Sequence, residues 1–140
     1  MSDNFNEGYD SDFAYLATPY TKYKPGIEQA FIDAAKLAAM LIRAGMKVYS
    51  PITHCHAIAV HGNLDPLDHS IWLPLDEAMM NACSVLIVAH MEGWQESYGV
   101  AEEIKFFEAA GKPIFDLDPK TLVMTRRKRL VYEVVGEVTA

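Results

Sequence analysis

The chain has 140 residues, 51% of them apolar and 22% charged, with a net charge of −7. That is enough material for one domain with a proper core, and it excludes disorder. It also argues against nucleic-acid polymers as partners, because the basic footprint they need is confined to the run "TRRKR" at 125–129.

Residues 1–11 form a polar, acidic leader without the basic start and apolar centre of a signal peptide. No run approaches the roughly 18 apolar residues of a membrane span, so no membrane association is expected. Cys55 and Cys83 lie in unrelated contexts, which fits a reducing cytoplasm better than a disulfide framework. "DFAYLATP" (12–19) reads as a short buried strand that stops at Pro19, followed by a loop with Lys22, Lys24, Pro25 and Gly26. From Ile27 to Ala44 the pattern is helical. Ile27, Ala30, Phe31, Ala34, Ala35, Leu37, Ala38, Leu41 and Ile42 share one face, opposite Glu28, Asp33, Lys36 and Arg43. Gly45 ends this helix, and "MKVYSP" (46–51) is a second strand.

The segment "ITHCHAIAVHGNLDPLDHS" is predicted as a loop holding a helical turn. A helix follows from about His69 to Ala82, with Ile71, Leu75, Ala78, Met79 and Ala82 inward and with Pro74 pointing to a later start. "SVLIVAH" (84–90) carries the apolar run expected of a central parallel strand buried on both faces. A loop and a helix capped by Gly111 come next, then a strand at "KPIFDL" (112–117). The tail "TLVMTRRKRLVYEVVGEV" suits either a hairpin or a short helix plus strand. This order predicts a single-domain, Rossmann-like α/β sandwich: a parallel sheet of about five strands with helices on both faces. The domain is placed at 12–120, with 121–140 as an extension packed on it or at a subunit interface. Ligands in such sheets bind beyond the carboxyl ends of the strands, which directs attention to the loops 17–26, 50–66 and 89–99.

Two adjacent glutamates in "SYGVAEEI" (97–104) differ in kind. On the helical wheel Glu102 falls on the outer face near Lys105, whereas Glu103 falls between Phe107 and Ala110, towards the core. A carboxylate there is costly unless it is paired or used. Just ahead of it, Ser97 and Gly99 open the helix, where a hydroxyl and free N–H groups suit an anion and where serine also serves as a plain N-cap. Asp76 lies at the edge of its helix's apolar stripe beside Trp72, as a second partly shielded acid or as a flank aspartate bonded to the next loop. An anion seat and an inward carboxylate at the mouth of a parallel sheet suggest a small phosphorylated ligand met by a nucleophile or base.

"FAYLATPY" (13–20), Asp76, "SVLIVA", "SYGVAEEI" and "GKPIF" together resemble the nucleoside 2-deoxyribosyltransferase superfamily, over about residues 13–117. The resemblance implies cleavage or exchange of the N-glycosidic bond of a nucleoside or its 5′-monophosphate, with no cofactor and commonly in a homodimer or larger oligomer. It makes Glu103 the nucleophile, places Tyr15 near nucleophile and sugar, and places Asp76 near sugar and base. It makes Ser97 a contact to phosphate where transferases carry an aspartate. Thr18, Pro19 and Lys22 then belong to the substrate loop, although "TPYTKYKPG" lacks the family's Gly-Ser-x-Arg-Gly pattern, which leaves Lys22 or Lys24 as the cation for a phosphate. Trp94 and Tyr20 are candidates to stack on the base, or are packing residues. The apolar tail and Trp72 suit a subunit interface.

His54 and His56 alternate in "THCH". In an extended segment both face the same way, with Cys55 turned away and His61 or Asp65 as a further ligand. No other metal-ligand spacing occurs, so a contact from one of them to base or phosphate, or a structural role, is expected instead. A non-catalytic nucleotide-binding or sensing module of the same fold is the competing reading. The "PGGxGT" loop of lysine-decarboxylase-like phosphoribohydrolases is missing, as are the acidic cluster and phosphoacceptor aspartate of receiver domains.

Overall fold

A computed structural model of the chain describes residues 13–128. The elements in order are strand β1 (Ala14–Ala17), helix α1 (Ile27–Arg43), strand β2 (Val48–Tyr49), helix α2 (Pro51–Gly62), helix α3 (His69–Ala82), strand β3 (Val85–Ala89), helix α4 (Tyr98–Ala109), strand β4 (Ile114–Leu117) and strand β5 (Met124–Arg126). The sheet order is β2-β1-β3-β4-β5. The first four strands are mutually parallel and β5 runs antiparallel to β4. The Rossmann-like α/β fold expected from the element order is present, with an antiparallel edge strand in place of a fully parallel sheet.

Period-two alternation splits the core cleanly. Ala14, Leu16, Val85, Ile87, Phe115 and Leu117 face Leu37 and Leu41 of α1. Tyr15, Ala17, Leu86, Val88 and Ile114 face Met80 of α3 and Val100 and Phe107 of α4. All five residues of β3 are buried, as a strand covered on both faces requires. β5 lies inside the segment assigned as an extension, and its Met124 is core. Arg127 beyond it donates to Asp116 at 2.6 and 3.1 Å, which ties the hairpin down. The rest of the tail, residues 129–140, falls outside the described residues.

Three local expectations are corrected. First, the segment after β2 is a helix: Ser50 accepts from the Thr53 N–H, Pro51 occupies the first turn, and Asn63 ends it with φ of 62°. The periodicity was weak because its buried positions are Pro51, His56 and Ala59, while Ile58 and Val60 face solvent. Second, α3 spans His69–Ala82 as expected, capped by Asp68 through the Ser70 N–H, but its inward set differs. Its buried residues are Trp72 and Met80, with Ala78 and Ala82 exposed. Asp76 stands four residues from each and so lies on the inner stripe rather than at its edge. Trp72 is 8% exposed and its indole N–H donates to the Asp65 carbonyl at 2.9 Å, so it is not free for an interface. Third, Ile42 is 55% exposed, because the inner face of α1 narrows at its last turn.

Lys112 of the "GKPIF" stretch closes α3 from outside. Its ammonium donates to the carbonyls of Met80, Asn81 and Cys83 at 3.0, 3.0 and 2.7 Å, occupying acceptors that a helix C-terminus leaves open. Lys112→Met is expected to lower stability by about 1–3 kcal/mol, read as a shift in the urea midpoint at unchanged slope.

Candidate active site

β1 lies between β2 and β3, so the chain reverses its direction of travel across the sheet at β1 and β3. The crevice beyond the carboxyl ends of those strands is where such folds place ligands. A cleft of about 380 Å³ opens there. Thr18, Tyr20 and Thr21 after β1 form one wall, Pro51, Ile52, Cys55 and His56 of α2 a second, and His69, Trp72 and Asp76 of α3 a third. Ser97, Gly99 and Glu103 from the start of α4 form the floor, and Pro66, Leu67 and the exposed Tyr98 stand at the rim.

Glu103 projects from the second turn of α4 and accepts a 3.0 Å hydrogen bond from the Tyr15 hydroxyl. The Tyr15 ring is fully buried in the core against Tyr49 and Phe107, so the strand itself fixes the position of the bond. Burial pushes the Glu103 carboxyl up to about 8; the Tyr15 hydrogen bond opposes that shift and the nearby Asp76 charge adds to it. Burial, with the Glu103 carboxylate beside it, drives Tyr15 far above the ordinary phenol range, so it stays a donor. Asp76 is pushed up to about 6 by burial, against a 3.8 Å contact from the Cys55 thiol and the His69 charge. Glu102 pairs with Lys105 at 3.2 Å on the outer face.

Ser97 caps α4, its hydroxyl oxygen accepting from the Val100 N–H at 3.2 Å. The hydroxyl proton and the N–H groups of Tyr98 and Gly99 remain available to a ligand. Thr18 is 4% exposed, and its hydroxyl has no hydrogen-bond partner among the described residues. Leaving a buried hydroxyl unpaired costs about 1–3 kcal/mol, a cost relieved when a bound ligand supplies the bond. Among the described residues, no lysine or arginine lines the cleft.

Of the residues singled out in the sequence, the cleft gathers Glu103, Asp76, Ser97, Gly99, Thr18, His56 and Tyr20, with Tyr15 directly behind Glu103. Others lie elsewhere. Pro19 is buried behind the wall, and Lys22 and Lys24 are exposed on the loop. Trp94 stacks on His90 at 4.1 Å, beside the Asp116 network rather than the cleft. His54 and His56 point apart because they sit two residues apart on a helix. His54 meets Tyr49 at 3.3 Å, His56 is buried, and Cys55, expected to turn away, lines the cleft. No group of three or more His, Cys, Asp or Glu side chains is placed to hold a metal among the described residues. No helix among them is long and apolar enough to cross a membrane.

The loop after β1 and the loop after β3, which carry Thr21 and Ser97, approach each other through main chain. Gly93 has φ of 84°, and a Cβ there would sit 2.4 Å from the Lys22 carbonyl oxygen. Only glycine accommodates both that conformation and that approach.

Sequence reasoning missed Cys55, His69 and Glu28, the last of which reaches His56 from α1 at 3.0 Å. The Ser50–Pro51 pair and Asn63, read as a helix start and stop, would have placed Cys55 and His56 on one wall. The family model described as a domain of unknown function, DUF1937, matches residues 12–118. No curated protein matches the chain.

Proposed function

We propose that this chain, which belongs to the DUF1937 family, breaks the N-glycosidic bond of a nucleoside or nucleoside 5′-monophosphate through a covalent intermediate on Glu103. The observation that carries this reading is a carboxylate sunk into the cleft floor, held by Tyr15 and electrostatically coupled to Asp76. A buried acid with one fixed donor and an open front suits attack on a sugar carbon far better than it suits packing.

Ionised Glu103 attacks C1′, the base leaves with the electron pair of the C–N bond, and a glycosyl ester forms with inversion at carbon. Asp76 gives up its proton near pH 6, before Glu103 does. It therefore acts as a carboxylate: it faces the cationic sugar of the transition state and then accepts a proton from the water that resolves the ester. A second base in place of water gives exchange. The planar walls of Trp72 and Tyr20 suit a base, and the hydroxyls of Thr18 and Ser97 suit sugar or phosphate oxygens. Exposed Leu67 and Tyr98 at the mouth fit a homo-oligomer as part of the same reading.

The test is incubation with a panel of deoxynucleosides and their 5′-monophosphates, with chromatography for free base. Binding without release from any of them would favour a nucleotide-sensing module. Ser97→Asp sharpens the test, since aspartate keeps the N-cap but adds charge. Turnover of monophosphates should fall about 10–100-fold relative to free nucleosides. An unchanged ratio would put the phosphate away from Ser97.

A further inference from the structure

Asp76 is met from the facing wall of the cleft. Cys55 of α2 lines that wall, and its thiol donates to Asp76 Oδ1 across 3.8 Å. The helix over 51–62 brings the sulfur there, on a wall that Ile52 also forms. Both groups hold one protonation state over a wide range. Burial pushes the thiol up to about 12, with the Asp76 charge adding to the shift. Burial also raises Asp76 to about 6, and the bond from Cys55 opposes that rise more than the His69 charge does. Between those two values the sulfur is a donor and Asp76 a carboxylate, so their bond has a single polarity. A thiol held in this way is also a poor nucleophile, which removes it from covalent chemistry.

We propose that Cys55 is a positioning residue that engages Oδ1 of Asp76 and so keeps this acid a fixed carboxylate beside the sugar, an inference that rests on the N-glycosidase reading of the cleft. A carboxylate set in a partly buried wall otherwise swings towards water or recovers its proton. Either change takes the counter-charge from the sugar cation and the base from the resolving water. With Oδ1 held by the thiol, the second oxygen is left for those two tasks. Sulfur supplies the donor with little polar surface of its own, which suits a wall shared with Ile52 and Trp72. The titratable groups that face the pair are Tyr15 of β1, Tyr20 from the loop after β1, Tyr49 of β2, His56 of α2, His69 of α3 and Glu103 of α4. Tyr49 also bonds the sulfur, which steadies it against Asp76.

The experiment uses Cys55→Val, close in bulk but without a donor, and Cys55→Ser, which keeps one, each with and without Asp76→Asn. Both acids must be ionised in the free enzyme. Log kcat/KM for a 2′-deoxynucleoside should therefore rise with a slope of about two below about pH 6, and about one from there to about pH 8. In Cys55→Val the burial of Asp76 is less opposed, so the bend should move to higher pH. At the same time kcat should fall about 5–10-fold with KM little changed. Cys55→Ser should restore both. In the Asp76→Asn background Cys55→Val should change kcat by less than about 2-fold. An unmoved bend, or an undiminished loss on top of Asp76→Asn, would overturn the proposal and leave the N-glycosidase reading standing. A second measurement needs no substrate. Alkylation of Cys55 by iodoacetamide near pH 9, located by peptide mass spectrometry, should run about 10-fold faster in Asp76→Asn, because the thiol loses the charge that keeps it protonated. An unchanged rate would overturn the proposal by itself. A wild type inert on every nucleoside, with the alkylation difference present, would remove the N-glycosidase reading and the positioning role with it, while the thiol–carboxylate contact stood.

Discussion

Replacing Glu103 with glutamine is expected to cut base release roughly 10⁴-fold or more while making the protein more stable in mild alkali. The first effect follows from removing the nucleophile while leaving its volume and its contact with Tyr15 in place. The second follows from the direction of its titration. The carboxyl is raised from an ordinary value of 4.5 to about 8, chiefly by burial. The folded protein therefore keeps a proton that the unfolded chain releases at lower pH. The associated stability is complete below the unfolded value and is lost as pH rises through about 8. Glutamine has no proton to lose. Near pH 9 the variant should exceed wild type by about 2 kcal/mol, a figure reduced from the full shift because the cleft leaves Glu103 partly open to water. Thermal melts from pH 5 to 9 should show the gap opening with pH, to roughly 5–8 °C. Retained activity in this variant would remove Glu103 from the chemistry. A gap that closes with pH would mean that the carboxylate is not opposed by its surroundings.

The pH dependence of kcat/KM should carry the same signature. It reports the free enzyme, so activity should climb through an acidic limb near pH 8 as Glu103 ionises. Asp76→Asn removes a negative charge that helps to hold Glu103 protonated, and the limb should move to lower pH. At the same time kcat should drop about 10²–10³-fold, because the sugar cation loses its counter-charge and the water its base. A limb that stays in place in Asp76→Asn would uncouple the two acids and remove the argument for a shared site.

The legible part of this molecule is the part where burial and periodicity agree. β3 was readable because all five of its side chains are buried, and α4 because Val100, Ile104 and Phe107 mark a stripe into which Glu103 intrudes. The same stripe separated Glu103 from Glu102 without any structure. α2 was not readable as a helix because its inner positions are small or polar and its bulky Ile58 and Val60 point outward. That error reversed the orientations of His54, Cys55 and His56. On α3 the count of apolar residues favoured Ile71, Leu75 and Met79, whereas the cleft required Trp72 and Asp76 to turn inward. Glu28 was hidden for another reason: it sits on the outer face of α1, and only the fold brings it to His56.

The contact between Gly93 and the Lys22 backbone bears on how this cleft diverges among descendants of one sequence. Because the loops that carry Thr21 and Ser97 meet through main chain, their spacing at that point does not depend on which side chains they carry. Exposed positions on these loops, such as Thr21, can therefore change one at a time without the scaffold changing shape beneath them. Selectivity for sugar substituent or base can be rewritten on a constant frame, and the lineage constraint falls on a residue that never meets the ligand.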